Sequence, residues 1–135
     1  MAFISNSYLE NASKYCEVRE FVCAEILTAG DWVDLDVSQS DESRSLTVVQ
    51  GNGTELCVGV ALEDKAAASG SVKVAVGGYV EGAKAGNITA NAGLMPDVAG
   101  SVLGYAAASL LSIVGVALED DALSGFCDVY VWRKY

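Results

Sequence analysis

The heptapeptide VGVALED occurs twice in the chain, at Val58–Asp64 and again at Val114–Asp120. The similarity continues upstream, where SLTVVQGNGTELC precedes the first copy and SVLGYAAASLLSI precedes the second. Downstream, one residue is missing from the second copy. After that gap Ser69-Gly70 aligns with Ser124-Gly125, and both tails alternate apolar residues with others, as strands do. Each copy is therefore predicted to contain a strand that ends in GVALED, a short connection closed by Ser-Gly, and a further strand.

A weaker similarity extends the duplication toward the N-terminus. ILTAGDWVDLD at Ile26–Asp36 and NITANAGLMPD at Asn87–Asp97 share a Thr-Ala pair and a final Asp. We therefore predict two tandem pseudo-repeats, residues 21–79 and 80–135, each with several short strands. Strands this short with turns this frequent favour a mainly β fold, namely a compact antiparallel sandwich or barrel.

The alignment of the two copies also predicts local features. Leu46 aligns with Val102, each twelve positions before the first residue of its heptapeptide. The intervening Gly51-Asn52-Gly53 is predicted to form a hairpin turn, because Gly and Asn tolerate positive φ.

A chain of 135 residues, 52% of them hydrophobic and 19% charged, fits one globular domain with a real core. We place this single β domain at residues 21–135. Residues 1–20 have no counterpart in the second copy and are treated as an extended N-terminal arm. Two interpretations of the arm stay open: a frayed terminus, or a segment that packs on a neighbouring subunit or partner. The apolar residues available for such packing are Phe3, Ile4, Tyr8 and Leu9.

The formal net charge of −10 limits the partners. Nucleic-acid phosphates and anionic lipids are bound through Lys and Arg, so we expect neither nucleic acid nor membrane as a partner. An acidic surface suits docking on a neutral or basic protein surface. Val98–Leu118 is uncharged and long enough to span a bilayer. Its glycines and serines, and the recurrence of its last residues between charged neighbours, favour buried strands instead.

The chain contains no His, which removes the commonest general base near neutral pH and the commonest metal ligand. Ser-His-Asp and Cys-His catalysis are thereby excluded, and no P-loop or dinucleotide-binding motif is present. We therefore expect that the protein is not an enzyme and that it uses no cofactor.

Two of the four cysteines align with aliphatic residues of the other copy, Cys57 with Ile113 and Cys127 with Val72. Positions that accept Ile or Val are most simply core positions, where a free Cys behaves as a small hydrophobe. We predict reduced, buried thiols rather than disulfides or a metal site, since no pair has CxxC spacing. The other two cysteines are Cys16 and Cys23.

Paired carboxylates close both heptapeptides, Glu63-Asp64 and Glu119-Asp120. Such pairs can do acid–base work or bind a hard cation, and a hydrolase that uses the two glutamates is the enzymatic alternative. The competing interpretation is that each pair ends a strand, with the Asp capping the short connection that follows. Asp34 and Asp36 lie on the same face of a predicted strand. We predict that this strand is a solvated edge of the sheet, and a cation site is the alternative.

Several aromatic residues allow either a sugar-binding face or packing in the core or at a subunit interface. These residues are Trp32, Tyr79, Tyr130, Trp132 and Tyr135. Packing is the interpretation adopted here, and Trp32 and Trp132 join the arm residues as candidates for a partner or oligomer interface.

The succession ILTAGDWVDLD, CVGVALEDKAAASGSVKVAVGGYVEG and GNITANAGLMPDVAG resembles the capsid decoration, or cement, proteins of tailed bacteriophages. It is most similar to the head-fibre or capsid-stabilising group, in which a TAGD-V-LD stretch precedes a GVALEDAAAG-V-V-V-G-V stretch. The resemblance covers Glu25–Gly100. TANAGLMPD departs from it by lacking the Gly-Asp of the TAGD turn, and residues 1–20 have no match in it.

The resemblance implies a mainly β fold, self-association, usually as trimers, and docking on the outer surface of the capsid. A protein of this kind would bridge subunits of the major capsid protein and stabilise the shell. We therefore expect a structural protein of the virion, located on the capsid exterior, that forms a homo-oligomer. The alternative function is a carbohydrate- or cell-surface-binding β module. The arm would suit strand addition to the sheet edge of a partner.

Overall fold

The fold is given by a computed structural model, which describes residues 15–66, 70–86, 88–104, 113–120 and 125–132. The chain is mainly β and contains a closed five-stranded barrel with further strands, which confirms the predicted fold class. A short 3-10 helix spans Asp41–Ser45. The strands are β1 (Cys16–Cys23), β2 (Trp32–Leu35), β3 (Thr47–Gln50), β4 (Cys57–Ala61), β5 (Ser71–Lys84), β6 (Gly93–Pro96), β7 (Val102–Gly104), β8 (Gly115–Ala117) and β9 (Phe126–Val131).

The barrel contains β1, β3, β2, β4 and the first part of β5, in that order around its wall, and it closes by pairing of β5 with β1. All neighbouring strands are antiparallel except β1 and β3, which pair in parallel through Val22 and Cys23. We call these strands the first unit. Its interior is filled by an apolar cluster whose fully buried members include Val33, Val48 and Val72.

Strand β5 belongs to both halves of the chain. Its residues Ser71–Gly78 pair with β1, whereas Gly78–Lys84 pair with β9. From β9 the sheet continues through β8 and β6 to β7. We call the later part of β5 together with β6–β9 the second unit. The predicted boundary between the pseudo-repeats, after residue 79, therefore falls inside one continuous strand.

The registers of the two units follow the sequence repeat. In the first unit Val60 pairs with Ala75 across β4 and β5, and Ala61 pairs with Val74. In the second unit Val116 pairs with Tyr130 across β8 and β9, and Ala117 pairs with Val129. The heptapeptides are 56 residues apart and the following strands 55, because one residue is missing from the second connection. The predicted arrangement of a strand, a short connection and a second strand is confirmed in both copies.

The two Thr-Ala pairs bind the last residue of each heptapeptide. The Asp64 carboxylate accepts a hydrogen bond from the Ala29 backbone N–H at 2.8 Å, and Asp120 accepts one from Ala90 at 2.7 Å. These contacts lie in equivalent turns, where Asn91 adopts the positive φ (71°) that Gly30 adopts in the first unit (98°). The contact described for each Asp thus reaches a distant turn, whereas the sequence predicted a cap on the connection that follows it.

The glycine of each VGVALED copy lies against the backbone of the adjacent strand. A Cβ at Gly59 would overlap the carbonyl group of Ala75. A Cβ at Gly115 would come within 2.5 Å of the Tyr130 carbonyl oxygen, at the equivalent place in the second unit. The duplicated glycine is therefore explained by close strand packing, because any side chain would push the paired strands apart.

The second unit packs on the outer face of the first. Trp32, Val60 and Ala75 are at most 1% exposed and share an apolar cluster with residues of the second unit such as Leu94 and Val129. The Trp32 indole N–H donates to the Lys84 carbonyl oxygen at 2.9 Å. Beside it, the Lys84 ammonium pairs with the buried Asp31 carboxylate at 2.6 Å. Trp32 therefore lies at the junction of the two units.

The predicted hairpin at Gly51-Asn52-Gly53 is wrong. Strands β3 and β4 do not pair with each other, because β2 lies between them and pairs with both. The loop runs along β2 instead, from Trp32 at its start to Leu35 at its end. Asp34 holds it there by accepting hydrogen bonds from the Asn52 backbone N–H and from the Thr54 hydroxyl. Asp34 is 3% exposed on a central strand, so the predicted solvated edge is also wrong.

Upstream of the heptapeptides, the structure aligns the two copies two residues away from the alignment predicted from the sequence. Val48 of β3 pairs with Leu35, and Val102 of β7 pairs with Pro96, the counterpart of Leu35. Val102 therefore corresponds to Val48, and the earlier alignment with Leu46 is wrong. The hydrogen bonds support the correspondence of Val102 with Val48. The Ala24 backbone N–H donates to the Val48 carbonyl oxygen, and the Gly86 backbone N–H donates to the Val102 carbonyl oxygen.

The N-terminal boundary of the first unit also differs from the prediction. Strand β1 begins at Cys16, so residues 16–20, assigned to the arm, are part of the barrel wall. The rest of the predicted arm, residues 1–14, lies outside the described residues. Among the described residues, no helix is long and apolar enough to cross a membrane.

The strand packing predicts that Gly59→Ala and Gly115→Ala each lower the free energy of unfolding by about 3 kcal/mol or more, because the added methyl must displace a paired strand. Gly104→Ala is the matched control, because a Cβ there meets nothing within 4 Å. It should change stability by less than about 0.5 kcal/mol. Urea unfolding of the three variants measures the difference, and equal effects at all three positions would contradict the packing account.

The two carboxylate-bound turns predict that Asp64→Ala and Asp120→Ala each cost about 1 kcal/mol, the usual value of such a hydrogen bond. The turns lie in different units and share no partner, so the double variant should cost the sum of the two. Asn retains an acceptor oxygen, and Asp64→Asn should therefore recover part of the loss. The same unfolding measurement tests this, and a marked departure from additivity would show that the turns are not independent.

Candidate interaction surface

Strand β9 presents a row of aromatic residues on its outer side. Its burial alternates, with Cys127, Val129 and Val131 buried and the residues between them turned outward. Phe126 is 44% exposed and Tyr130 49% exposed. This is the alternation expected of a strand with one face in the core and the other in solvent.

Neighbouring strands widen this row into a surface. Tyr79 of β5 and Val116 of β8 are the direct cross-strand partners of Tyr130, so their side chains lie on the same side of the sheet. Leu118, just beyond β8, is 47% exposed, and Trp132, just beyond β9, is 46% exposed. We call the following set the aromatic face: Tyr79, Val116, Leu118, Phe126, Tyr130 and Trp132.

Asp128 lies in the middle of the row but its carboxylate is engaged within the sheet. It accepts hydrogen bonds from the Tyr79 hydroxyl and from the Gly82 backbone N–H, both at 3.0 Å. Partial burial, and then the bond to Asp128, raise the pKa of Tyr79 well above its usual range. Tyr79 thus stays a neutral donor at physiological pH, and Asp128 is held by two donors at the bulge of β5.

A groove of about 400 Å³ adjoins the aromatic face. The start of β1, the Gly77-Gly78 pair of β5 and the end of β9 line it, with Tyr15 and Tyr130 on its walls. The Tyr15 ring meets that of Tyr79 edge-on, with 6.4 Å between centroids. Cys16 lies in the same lining, and burial raises the pKa of its thiol to about 11. The thiol is therefore protonated at neutral pH and is a poor nucleophile.

The structure separates the two tryptophans that were predicted together as interface residues. Trp132 is half-exposed on the aromatic face, whereas Trp32 is 1% exposed at the junction of the units. Trp32 therefore contributes to no surface in this fold, and its assignment to a partner interface or a sugar-binding face is corrected. The arm candidates Phe3, Ile4, Tyr8 and Leu9, and the aromatic Tyr135, lie outside the described residues.

The acidic pairs and the cysteines occupy structural positions. Glu119 accepts a hydrogen bond from the Asp128 backbone N–H at 3.0 Å, next to the Asp120 turn contact. All four cysteines are buried and form no disulfide with one another, which confirms the prediction of reduced, buried thiols. The alignment with aliphatic residues predicted this for Cys57 and Cys127. Among the described residues, no three His, Cys, Asp or Glu side chains cluster in a way that could hold a metal ion.

The sequence placed Tyr79, Tyr130 and Trp132 in one aromatic set with the buried Trp32, and of these three only Trp132 was also predicted to lie at an interface. Tyr15, Val116, Leu118 and Phe126 were missed. The alternation in FCDVYVW was the available indication of an outward row on β9. The other members could not be identified without the pairing of β5, β8 and β9. The arrangement offers apolar and aromatic contact area.

The raised pKa of Cys16 predicts a loss of stability in alkali. Folding keeps the thiol neutral up to about pH 11, whereas in the unfolded chain it ionises from its ordinary pKa of 9.0. Its contribution to the free energy of unfolding is therefore full below pH 9 and is lost as pH rises from 9 to 11, by on the order of 2 kcal/mol. Cys16→Ala should flatten this part of the stability profile, measured by urea unfolding across that pH range. Parallel profiles for the variant and the unaltered protein would contradict the assignment.

No known family model matches the chain, and no curated protein does so either.

Proposed function

We propose that this protein is a structural protein of a tailed-bacteriophage virion, which binds the outer surface of the capsid and stabilises the shell by bridging major capsid protein subunits. The observation that carries the proposal is the aromatic face, a largely apolar surface on the second unit, in which the carboxylate of Asp128 is hydrogen-bonded within the sheet. Contiguous exposed apolar surface of this kind is typical of protein–protein contact sites. The resemblance of the TAGD and GVALED segments to capsid-stabilising proteins suggests the major capsid protein as the partner.

The framework around this face supports a binding role. Both units are tied by the shared strand β5, and their junction holds the buried Trp32 and the Asp31–Lys84 ion pair. A surface held on such a framework loses little conformational freedom when it docks, and affinity gains from that. The acidic pairs that suggested a hydrolase make turn and strand contacts, as Asp64, Glu119 and Asp120 do.

The charge of the chain fits docking outside the shell. With a net charge of −10, the protein is repelled by the packaged DNA and attracted by neutral or basic patches on a protein surface. The partner we propose is the major capsid protein, and the protein acts there as a homo-oligomer, with a trimer favoured by the resemblance.

The proposal predicts a measurable gain in particle stability. Particles that lack this protein should release DNA at a lower temperature than particles that carry it, because bridging contacts oppose the internal pressure. Adding the purified protein to the deficient particles should restore the higher temperature, and electron microscopy should show added density on their outer surface. Dye-detected DNA release during heating measures the effect. Equal release temperatures with and without the protein, or no bound density, would contradict the proposal.

A carbohydrate-binding module remains the second candidate, because the groove beside the aromatic face carries Tyr15 and Tyr130 on its walls. Aromatic rings in a groove can stack on sugar rings. Titration with oligosaccharides, followed by the fluorescence of Trp132, separates the two functions. Since Trp32 is buried, Trp132→Phe is the control that assigns a change to the surface. Saturable sugar binding without any capsid binding would favour the second candidate.

A further inference from the structure

A carboxyl group and an amine meet at the buried junction of the two units. Asp31 is 1% exposed, and its Oδ1 atom lies 2.6 Å from Nζ of Lys84. The residues on either side of Asp31 hold the Lys84 backbone in place. The Lys84 N–H donates to the Gly30 carbonyl oxygen, and the Lys84 carbonyl oxygen accepts the Trp32 indole N–H, both at 2.9 Å. The two groups are therefore kept in contact by hydrogen bonds that involve neither of them.

The turn that carries Asp31 does not need a carboxyl group. The Asp31 backbone N–H donates to the Thr28 carbonyl oxygen at 3.0 Å. In the second unit, the Ala92 backbone N–H donates to the Thr89 carbonyl oxygen at 3.2 Å. Ala92 is the counterpart of Asp31 in the aligned segments Ile26–Asp36 and Asn87–Asp97, so the same turn forms with an alanine. The carboxyl group is therefore an addition of the first unit, where it contacts Lys84.

The two oxygen atoms of the Asp31 carboxyl group have different surroundings. Oδ2 accepts a hydrogen bond from the Thr28 backbone N–H at 2.9 Å, and the Gln50 side-chain amide nitrogen lies 3.5 Å from it. Oδ1 makes no hydrogen bond within the described part of the chain, so Lys84 contacts it without hydrogen-bond geometry. Gly100 of the second unit closes the site, since a Cβ there would come within 2.8 Å of Oδ1. The contact between amine and carboxyl group is therefore enclosed by both units.

We propose that Lys84 and Asp31 condense into an amide within the chain, which cross-links strand β5 to the turn before β2. Three observations carry the proposal: the 2.6 Å contact, the fixed positions of both residues, and the different surroundings of the two carboxyl oxygens. The cross-link does not depend on the proposed function, and its test uses the protein alone.

The condensation needs no other reactant. The Lys84 ammonium first transfers a proton to Oδ1 of Asp31, which leaves a neutral amine and a neutral acid. The Nζ lone pair then forms a bond to Cγ, and the Thr28 N–H and the Gln50 amide stabilise the negative charge that develops on Oδ2. A second proton passes from Nζ to Oδ1, the Cγ–Oδ1 bond breaks, and Oδ1 leaves as water. The ammonium and the carboxylate thus supply every atom of the amide and of the released water.

Two effects favour the amide over the ion pair. Holding two groups in contact gives an effective concentration on the order of 10⁵ M or more, which offsets the unfavourable condensation of ionised groups in water. Burying an ion pair also costs desolvation free energy, and a neutral amide does not carry that cost. The Lys84 side chain is 28% exposed, which leaves a route for the released water, whereas Asp31 is shielded from the water that would reverse the step.

Mass spectrometry of the intact, purified full chain tests the proposal. We expect a mass below that calculated from the sequence by one water molecule, and a proteolytic digest should contain a peptide in which the segments around Asp31 and Lys84 are joined. Lys84→Arg should restore the calculated mass, because a guanidinium stays protonated and cannot attack Cγ. Lys73→Arg is the matched control. Lys73 forms an ion pair with Glu20 at 2.9 Å, but both side chains are exposed, so the mass deficit should persist.

A second variant identifies the group that leaves. Asp31→Asn keeps the shape of the side chain, and its condensation with Lys84 would release ammonia in place of water. Its mass should therefore fall below the calculated value by one ammonia molecule, with the loss located in the same joined peptide. Circular dichroism checks that each variant is folded. The full calculated mass for the unaltered protein, even after prolonged incubation, would overturn the proposal, and so would a deficit that Lys84→Arg leaves intact.

Discussion

The structure depends on one strand that belongs to both units. Strand β5 completes the wall of the barrel with its N-terminal part and begins the second unit with its C-terminal part. The constraint is geometric, because the backbone hydrogen bonds of a strand fix the position of both neighbours. No linker separates the units, so the second unit must come to rest on the outer face of the first. The burial of Trp32, Val60 and Ala75 follows from that placement.

The junction also shows how the repeated elements diverged. Turns and close strand contacts are the same in both units, as Gly59 and Gly115 or Asp64 and Asp120 show. The outer faces differ in burial: that of the first unit is part of the core, whereas Leu118 and Tyr130 of the second unit are about half-exposed in the described part of the chain. A β unit built around one pattern thus presents the same kind of surface twice, in two different environments. This difference locates the candidate site, although the chain contains no recognisable binding motif.

The repeat made much of the fold predictable from the sequence. Alternation and the doubled VGVALED predicted the β4–β5 and β8–β9 pairs, and alignment with aliphatic residues predicted the burial of Cys57 and Cys127. The hairpin at Gly51-Asn52-Gly53 failed because turn chemistry is local, whereas the insertion of β2 between β3 and β4 is a long-range choice. The burial of Trp32 and the exposure of Tyr130 could not be predicted, for a related reason. Alternation separates the two faces of a strand, but which outer face is covered depends on the packing of the units.

The continuity of β5 also has a mechanical meaning. In most two-part proteins, tension between the parts passes through a flexible linker or a non-covalent interface, both of which yield early. Here tension applied between the first and second units runs along the covalent backbone of a single strand. It can separate them only by shearing the rows of hydrogen bonds that β5 makes with β1 and β9, which must break together and not one after another. Tension along β5 therefore loads both rows of hydrogen bonds in shear.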